Sequence, residues 1–97
     1  MSAATYASPI REEDPLTIYP NPAREKLTIK FSSESALGPE IQIIDLTGKV
    51  VLKVEEELNR EDKLFRTEVE LNDLKSGIYF VKVIQAKKIY TMKLIVE

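Results

Sequence analysis

From Leu16 onward the chain alternates apolar and polar side chains in short runs. Leu27, Ile29 and Phe31 are separated by Thr28 and Lys30, and Ile41 and Ile43 by Gln42. Phe65, Thr67, Val69 and Leu71 are separated by Arg66, Glu68 and Glu70. A period of two places alternate residues on opposite sides of an extended backbone, so each run predicts a strand with one buried face. Two longer runs follow, Ile78 to Ile84 and Ile89 to Val96. In the first, Tyr79, Val81 and Val83 share one face while Phe80 and Ile84 lie on the other, which predicts partial cover on both sides. In the second, Tyr90, Met92, Leu94 and Val96 oppose Thr91, Lys93 and Ile95. Tyr19, Tyr79 and Tyr90 are assigned to apolar phases, where packing is their expected role.

Turn signals separate these runs. Gly48 in "DLTGKVV" marks a tight hairpin that needs positive φ, and Asp45 is placed to cap it. Asn72-Asp73 and Ser76-Gly77 bracket Leu74, a short connection with one apolar side chain turned inward. Gln85 to Lys88 must reverse the chain without glycine. Residues 54–65, "VEEELNREDKLF", have too few apolar positions for an amphipathic helix and are predicted as an elongated loop with frayed strand ends. In "IYPNP", Pro20 ends the strand Leu16 to Tyr19 and Pro22 holds Asn21 extended. That suits a crossing between sheets, with the Asn21 side chain free to bond nearby backbone groups. About seven strands at spacings of roughly ten residues predict an all-β, antiparallel β-sandwich over residues 16–97. Residues 1–15, with Glu12-Glu13-Asp14 and no period, are predicted as a linker or arm.

Composition removes most chemistry. The 97 residues include no Cys and no His, which leaves no thiolate, no imidazole base, no His or Cys metal site and no disulfide. The 43% hydrophobic and 31% charged fractions suit one soluble domain, and no apolar run approaches the ~18 residues of a membrane span. The acidic residues fall in loops or on polar strand phases, so a solvated surface accounts for Glu55 to Glu57, Glu61-Asp62 and Glu68/Glu70 better than acid/base catalysis does. A calcium site from Glu55, Glu57, Glu61 and Asp62 lacks a recognised ligand spacing. No cofactor is expected. Residues 75–97 carry five lysines against Glu97, a net +4 within a chain of net −2. This predicts lysines that discourage edge pairing, or a basic end that meets an acidic partner. Nucleic acid is not an expected partner, because no basic stripe interleaves with aromatics.

Five motifs in order, "IYPNP", "KLTIKF", "IQIIDLTGKVV", "VELNDLKSGIYFVKV" and the closing "KLIV", resemble the C-terminal sorting domain of type IX (Por) secretion system cargo, over residues 16–97. The resemblance implies an immunoglobulin-like β-sandwich of about seven antiparallel strands and a non-catalytic export signal of Bacteroidota. It implies a cargo domain N-terminal to the signal and transit of the periplasm after a separate signal peptide. The partners implied are an outer-membrane type IX translocon with its shuttle proteins and a sortase-like cysteine protease that removes the domain at the cell surface. Cleavage would fall in residues 1–15 or upstream. Carried onto this chain, Pro20, Asn21 and Pro22 match the first motif, Gly48 and Lys49 the central hairpin, and Gly77, Ile78, Tyr79, Val81 and Val83 the penultimate strand. Lys93, Leu94, Ile95 and Val96 match the segment the translocon reads, with Lys93 as the expected direct contact. The competing reading is an accessory spacer or carbohydrate-binding module, although the chain has no Trp and only four Tyr and three Phe.

Overall fold

A computed structural model describes residues 15–33, 38–54 and 59–97. They form eight strands: β1 (Leu16–Tyr19), β2 (Lys26–Ser32), β3 (Glu40–Ile44), β4 (Val50–Val54), β5 (Asn59–Glu61), β6 (Leu64–Glu70), β7 (Gly77–Gln85) and β8 (Lys88–Val96). One sheet has the order β1-β2-β6-β5 and the other β4-β3-β7-β8, with every neighbouring pair antiparallel. The chain is a succession of hairpins that alternate between the two sheets, and the pair of sheets is the β-sandwich expected from the period-two runs. The linker expected for residues 1–15 lies, apart from Pro15, outside the described residues.

The inward phases are those the alternation picked out. Leu27, Ile29 and Phe31 of β2 and Phe65, Thr67 and Val69 of β6 pack with Ile41 and Ile43 of β3, Val81 and Val83 of β7, and Leu94 and Val96 of β8. Each such aliphatic contributes about 1.5–3 kcal/mol by leaving water. Phe80 and Ile84 are half-buried on the outer face, so the second sheet is partly covered on both sides as expected.

Three local differences from the sequence reading have identifiable causes. Eight strands are present because residues 59–61, expected as loop, form β5. Its three polar residues carry no periodic signal, and its ladder to Arg66, Phe65 and Leu64 of β6 holds it. Arg60 also lies over the Phe65 ring at 4.9 Å. The reversal between β7 and β8 is a two-residue turn in which Ala86 takes the left-handed region (φ 54°) in place of the missing glycine. Tyr19 is not a packing residue: β1 buries Leu16 and Ile18, which sends Tyr19 outward, with Lys30 Nζ 5.4 Å from its ring centroid.

The other turns match their sequence signals. Gly48 has φ 91°, and Asp45 closes the β3–β4 hairpin. Its carboxylate accepts from Thr47 N–H (2.9 Å), Thr47 Oγ1 (2.6 Å) and Lys49 N–H (3.0 Å). These bonds, the Thr47 hydroxyl first, hold the Asp45 carboxyl below the usual carboxylate range.

Candidate functional site

The Pro20-Asn21-Pro22 segment leaves the first sheet at the end of β1 and reaches β8 of the second. The Tyr19–Pro20 and Asn21–Pro22 peptide bonds are both cis. A residue flanked by prolines cannot rely on neighbouring main-chain donors, and here the Asn21 side chain supplies both a donor and an acceptor. Its Nδ2 donates to Lys93 O at 2.8 Å, and its Oδ1 accepts from Ile95 N–H at 3.0 Å. The carboxamide thereby imitates one rung of a β-ladder along the outer edge of β8. The sequence pointed to backbone partners for Asn21, but they lie 72 and 74 residues away rather than nearby.

Ala23 extends this contact. It is fully buried, donates its N–H to Ile95 O (2.8 Å) and accepts from Glu97 N–H (2.8 Å), forming a parallel bridge with Val96. Sequence reasoning passed over it, although a small apolar residue among the charges of "AREK" is a signal of a side chain turned inward. Arg24 and Glu97 add an exposed ion pair at 3.3 Å, of a kind that contributes little.

On its other side β8 pairs with β7 along its whole length: Val96 opposite Gly77, Ile95 opposite Ile78, Leu94 opposite Tyr79 and Lys93 opposite Phe80. Leu94 and Val96 are buried, while Lys93 and Ile95 face outward beside the exposed Ile78. The surface at this point is an apolar cross-strand pair with an ammonium next to it. Tyr79 lies inward and its hydroxyl donates to Lys75 O at 2.6 Å, tying down the connection that begins β7. Gly48 and Lys49 reach the same end of the sandwich, since Ile44 pairs with Phe80 and a shallow cleft joins Lys49 to Leu74, Lys75 and Tyr79. Of the residues singled out from sequence, Val81 and Val83 lie further along β7 in the core, and the others gather at this end.

Chemically, the arrangement offers main-chain groups, apolar side chains and ammonium groups on an exposed rim. Among the described residues no three acidic side chains are placed to hold a metal ion. Glu55 and Glu57 of the considered calcium set lie outside the described residues. No helix among the described residues is long and apolar enough to cross a membrane. Main-chain groups with apolar side chains and ammonium groups beside them can pair with another extended polypeptide.

A comparison with curated proteins gives no match. The family model described as "Secretion system C-terminal sorting domain" matches residues 17–97, from the second residue of β1 through β8 and therefore both halves of the Asn21 contact. The chain belongs to the family of secretion system C-terminal sorting domains, the non-catalytic segments that address type IX cargo for export.

Proposed function

We propose that the end of the sandwich where the Pro20-Asn21-Pro22 segment meets β8 is the surface the export machinery reads. In this reading Lys93 makes the charged contact, with Ile95 and Ile78 as the apolar surface beside it. Leu94 and Val96 act from within by fixing the strand. Pro20, Asn21 and Pro22 hold its outer edge, and Gly77, Tyr79, Val81 and Val83 hold its inner one. Gly48 and Lys49 form the neighbouring hairpin at the rim. The partners are the outer-membrane type IX translocon and its shuttle proteins. The cargo is N-terminal to this domain and crosses the periplasm before export. A sortase-like cysteine protease then separates the two within residues 1–15 or upstream, leaving the cargo at the cell surface or released.

The observation that carries this reading is the pair of Asn21 bonds to Lys93 and Ile95, because two sequence motifs at opposite ends of the domain become one structure through them. The test is a periplasmic reporter fused ahead of the 97-residue chain in a host with a type IX system. Export of the fusion, and retention of the reporter alone, is the expected result. A reporter retained with the chain attached would make the domain a spacer.

A further inference from the structure

The clamp on β8 covers only part of its outer edge, and its contacts reveal the phase of the rest. Lys93 O, both main-chain groups of Ile95 and Glu97 N–H face away from β7 and are bonded by Asn21 and Ala23. In an antiparallel ladder, residues that direct both groups toward one neighbour alternate with residues that direct both away. Ile89 and Thr91 therefore also present N–H and C=O to the open side, and Lys93 presents its N–H. Nothing among the described residues bonds these groups. Among the described residues, the stretch Ile89–Lys93 is a strand edge without a partner, directly upstream of the part that Asn21 has closed.

Its surroundings are specific. Ile89 is 59% exposed, and Tyr90 and Met92 are half-buried at the margin of the core, with the Tyr90 ring 5.2 Å from that of Phe31. Lys87, Lys88 and Lys93 are exposed along the edge, and Lys82 sits opposite Thr91 on the same outer face. From Lys75 to Val96 the chain contains five lysines and no carboxylate.

We infer that the Ile89–Lys93 edge accepts an added strand from an acidic, extended partner segment of about five residues, with carboxylates on its outward phase and apolar side chains on its inward phase. Main-chain bonds to Ile89, Thr91 and Lys93 give the affinity, as in strand addition to a sheet edge. The inward side chains cover Tyr90 and Met92, and the outward carboxylates meet Lys82 and Lys93. A second copy of this chain is a poorer occupant, because two β8 edges paired about Thr91 would crowd both sets of lysines into one strip. This inference rests on the export reading and names the chemistry of the partner at that same strand.

The test uses an acetylated octapeptide alternating valine and glutamate, its valine–lysine counterpart, and the 97-residue chain followed by amide NMR. The acidic peptide is expected to shift the Ile89, Thr91 and Lys93 amides and slow their exchange, and the basic peptide to leave them unchanged. Thr91→Pro removes an N–H that points away from β7, which an edge position tolerates, and should weaken acidic-peptide binding about tenfold, the equivalent of one net hydrogen bond. Lys82→Glu, which reverses a charge opposite Thr91 on the outer face and leaves every main-chain group in place, should weaken it comparably and covers the case of a poorly folded proline variant. Equal binding of both peptides, protection mapped to another edge, or dimerisation through β8 in sedimentation would overturn the inference. In the export assay, both variants are expected to reduce export. Wild-type export by both, with the reporter alone retained, refutes the edge while leaving the export reading intact. Export of the reporter alone refutes the export reading instead.

Discussion

Replacing Asn21 by alanine deletes both bonds that its carboxamide makes to β8, at 2.8 and 3.0 Å, and leaves Ala23 to hold that edge. A hydrogen bond contributes a net ~0.5–1.5 kcal/mol, and the groups released here are reached by water, which favours the lower half of that range. Two bonds give about 1–2 kcal/mol. Because a domain of this size shifts its Tm by about 4–8 °C per kcal/mol, Asn21→Ala should melt about 4–15 °C lower. Urea denaturation gives the free energy, and amide exchange at Ile95 locates the loss. Asn21→Asp sharpens the test: it keeps the acceptor for Ile95 N–H but sets a carboxylate oxygen against Lys93 O. That variant should be no more stable than the alanine at neutral pH. It should recover below about pH 4, where a protonated carboxyl regains a donor. The folded form then binds the proton more tightly than the unfolded chain, so stability rises as pH falls. If Asn21→Ala lies within about 0.3 kcal/mol of wild type and Ile95 exchanges at its former rate, the clamp contributes nothing and the union of the two motifs has no energetic content.

Three further outcomes are expected. Leu94→Ala empties a fully buried position in β8 and should lose about 2–5 kcal/mol in urea denaturation, whereas exposed Lys93→Ala should stay within about 0.5 kcal/mol yet reduce reporter export. Asp45→Asn should lower Tm at pH 7, with the gap to wild type closing as pH falls below about 4. The Asp45 carboxyl titrates lower in the folded chain than in the unfolded one, so its contribution is complete above the unfolded value and drains away through the folded one. Ala86→Gly should raise Tm by a few degrees, since glycine relieves about 1 kcal/mol of left-handed strain at φ 54°, partly offset by the greater freedom of the unfolded chain.

The strands with an alternating apolar face were legible because burial imposes a period the sequence must display. β2, β3, β6, β7 and β8 all lie where that period placed them, with the inward residues as expected. β5 was not legible, because Asn59-Arg60-Glu61 is a polar edge whose existence depends on its neighbour β6. Tyr19 misled because an aromatic next to Ile18 reads as apolar, yet one step along a strand reverses the face. The residues of the candidate site could be picked out by motif, but their gathering at one end could not. Pairing across more than seventy residues is set by how two sheets close on each other, and the only sequence trace of it was an Asn between prolines with an unassigned carboxamide.

The position of Asn21 and Ala23 has a consequence for how an export address can be kept honest. Both belong to the connection between β1 and β2 of one sheet, yet both bond β8 of the other, so the outer edge of Lys93–Val96 is bonded only when the two sheets have closed. Removing Lys93 to Glu97 takes Leu94 and Val96 from the core, about 1.5–3 kcal/mol each, and strips Asn21 and Ala23 of their partners. Against a total stability of about 5–15 kcal/mol, that loss approaches the whole. A chain synthesised or folded incompletely then displays neither the Lys93 and Ile95 surface nor a continuous edge beside it. On the proposed reading, recognition of β8 selects finished domains without a separate checking step, because the groups that would be recognised are positioned in part by contacts that exist only between the two closed sheets.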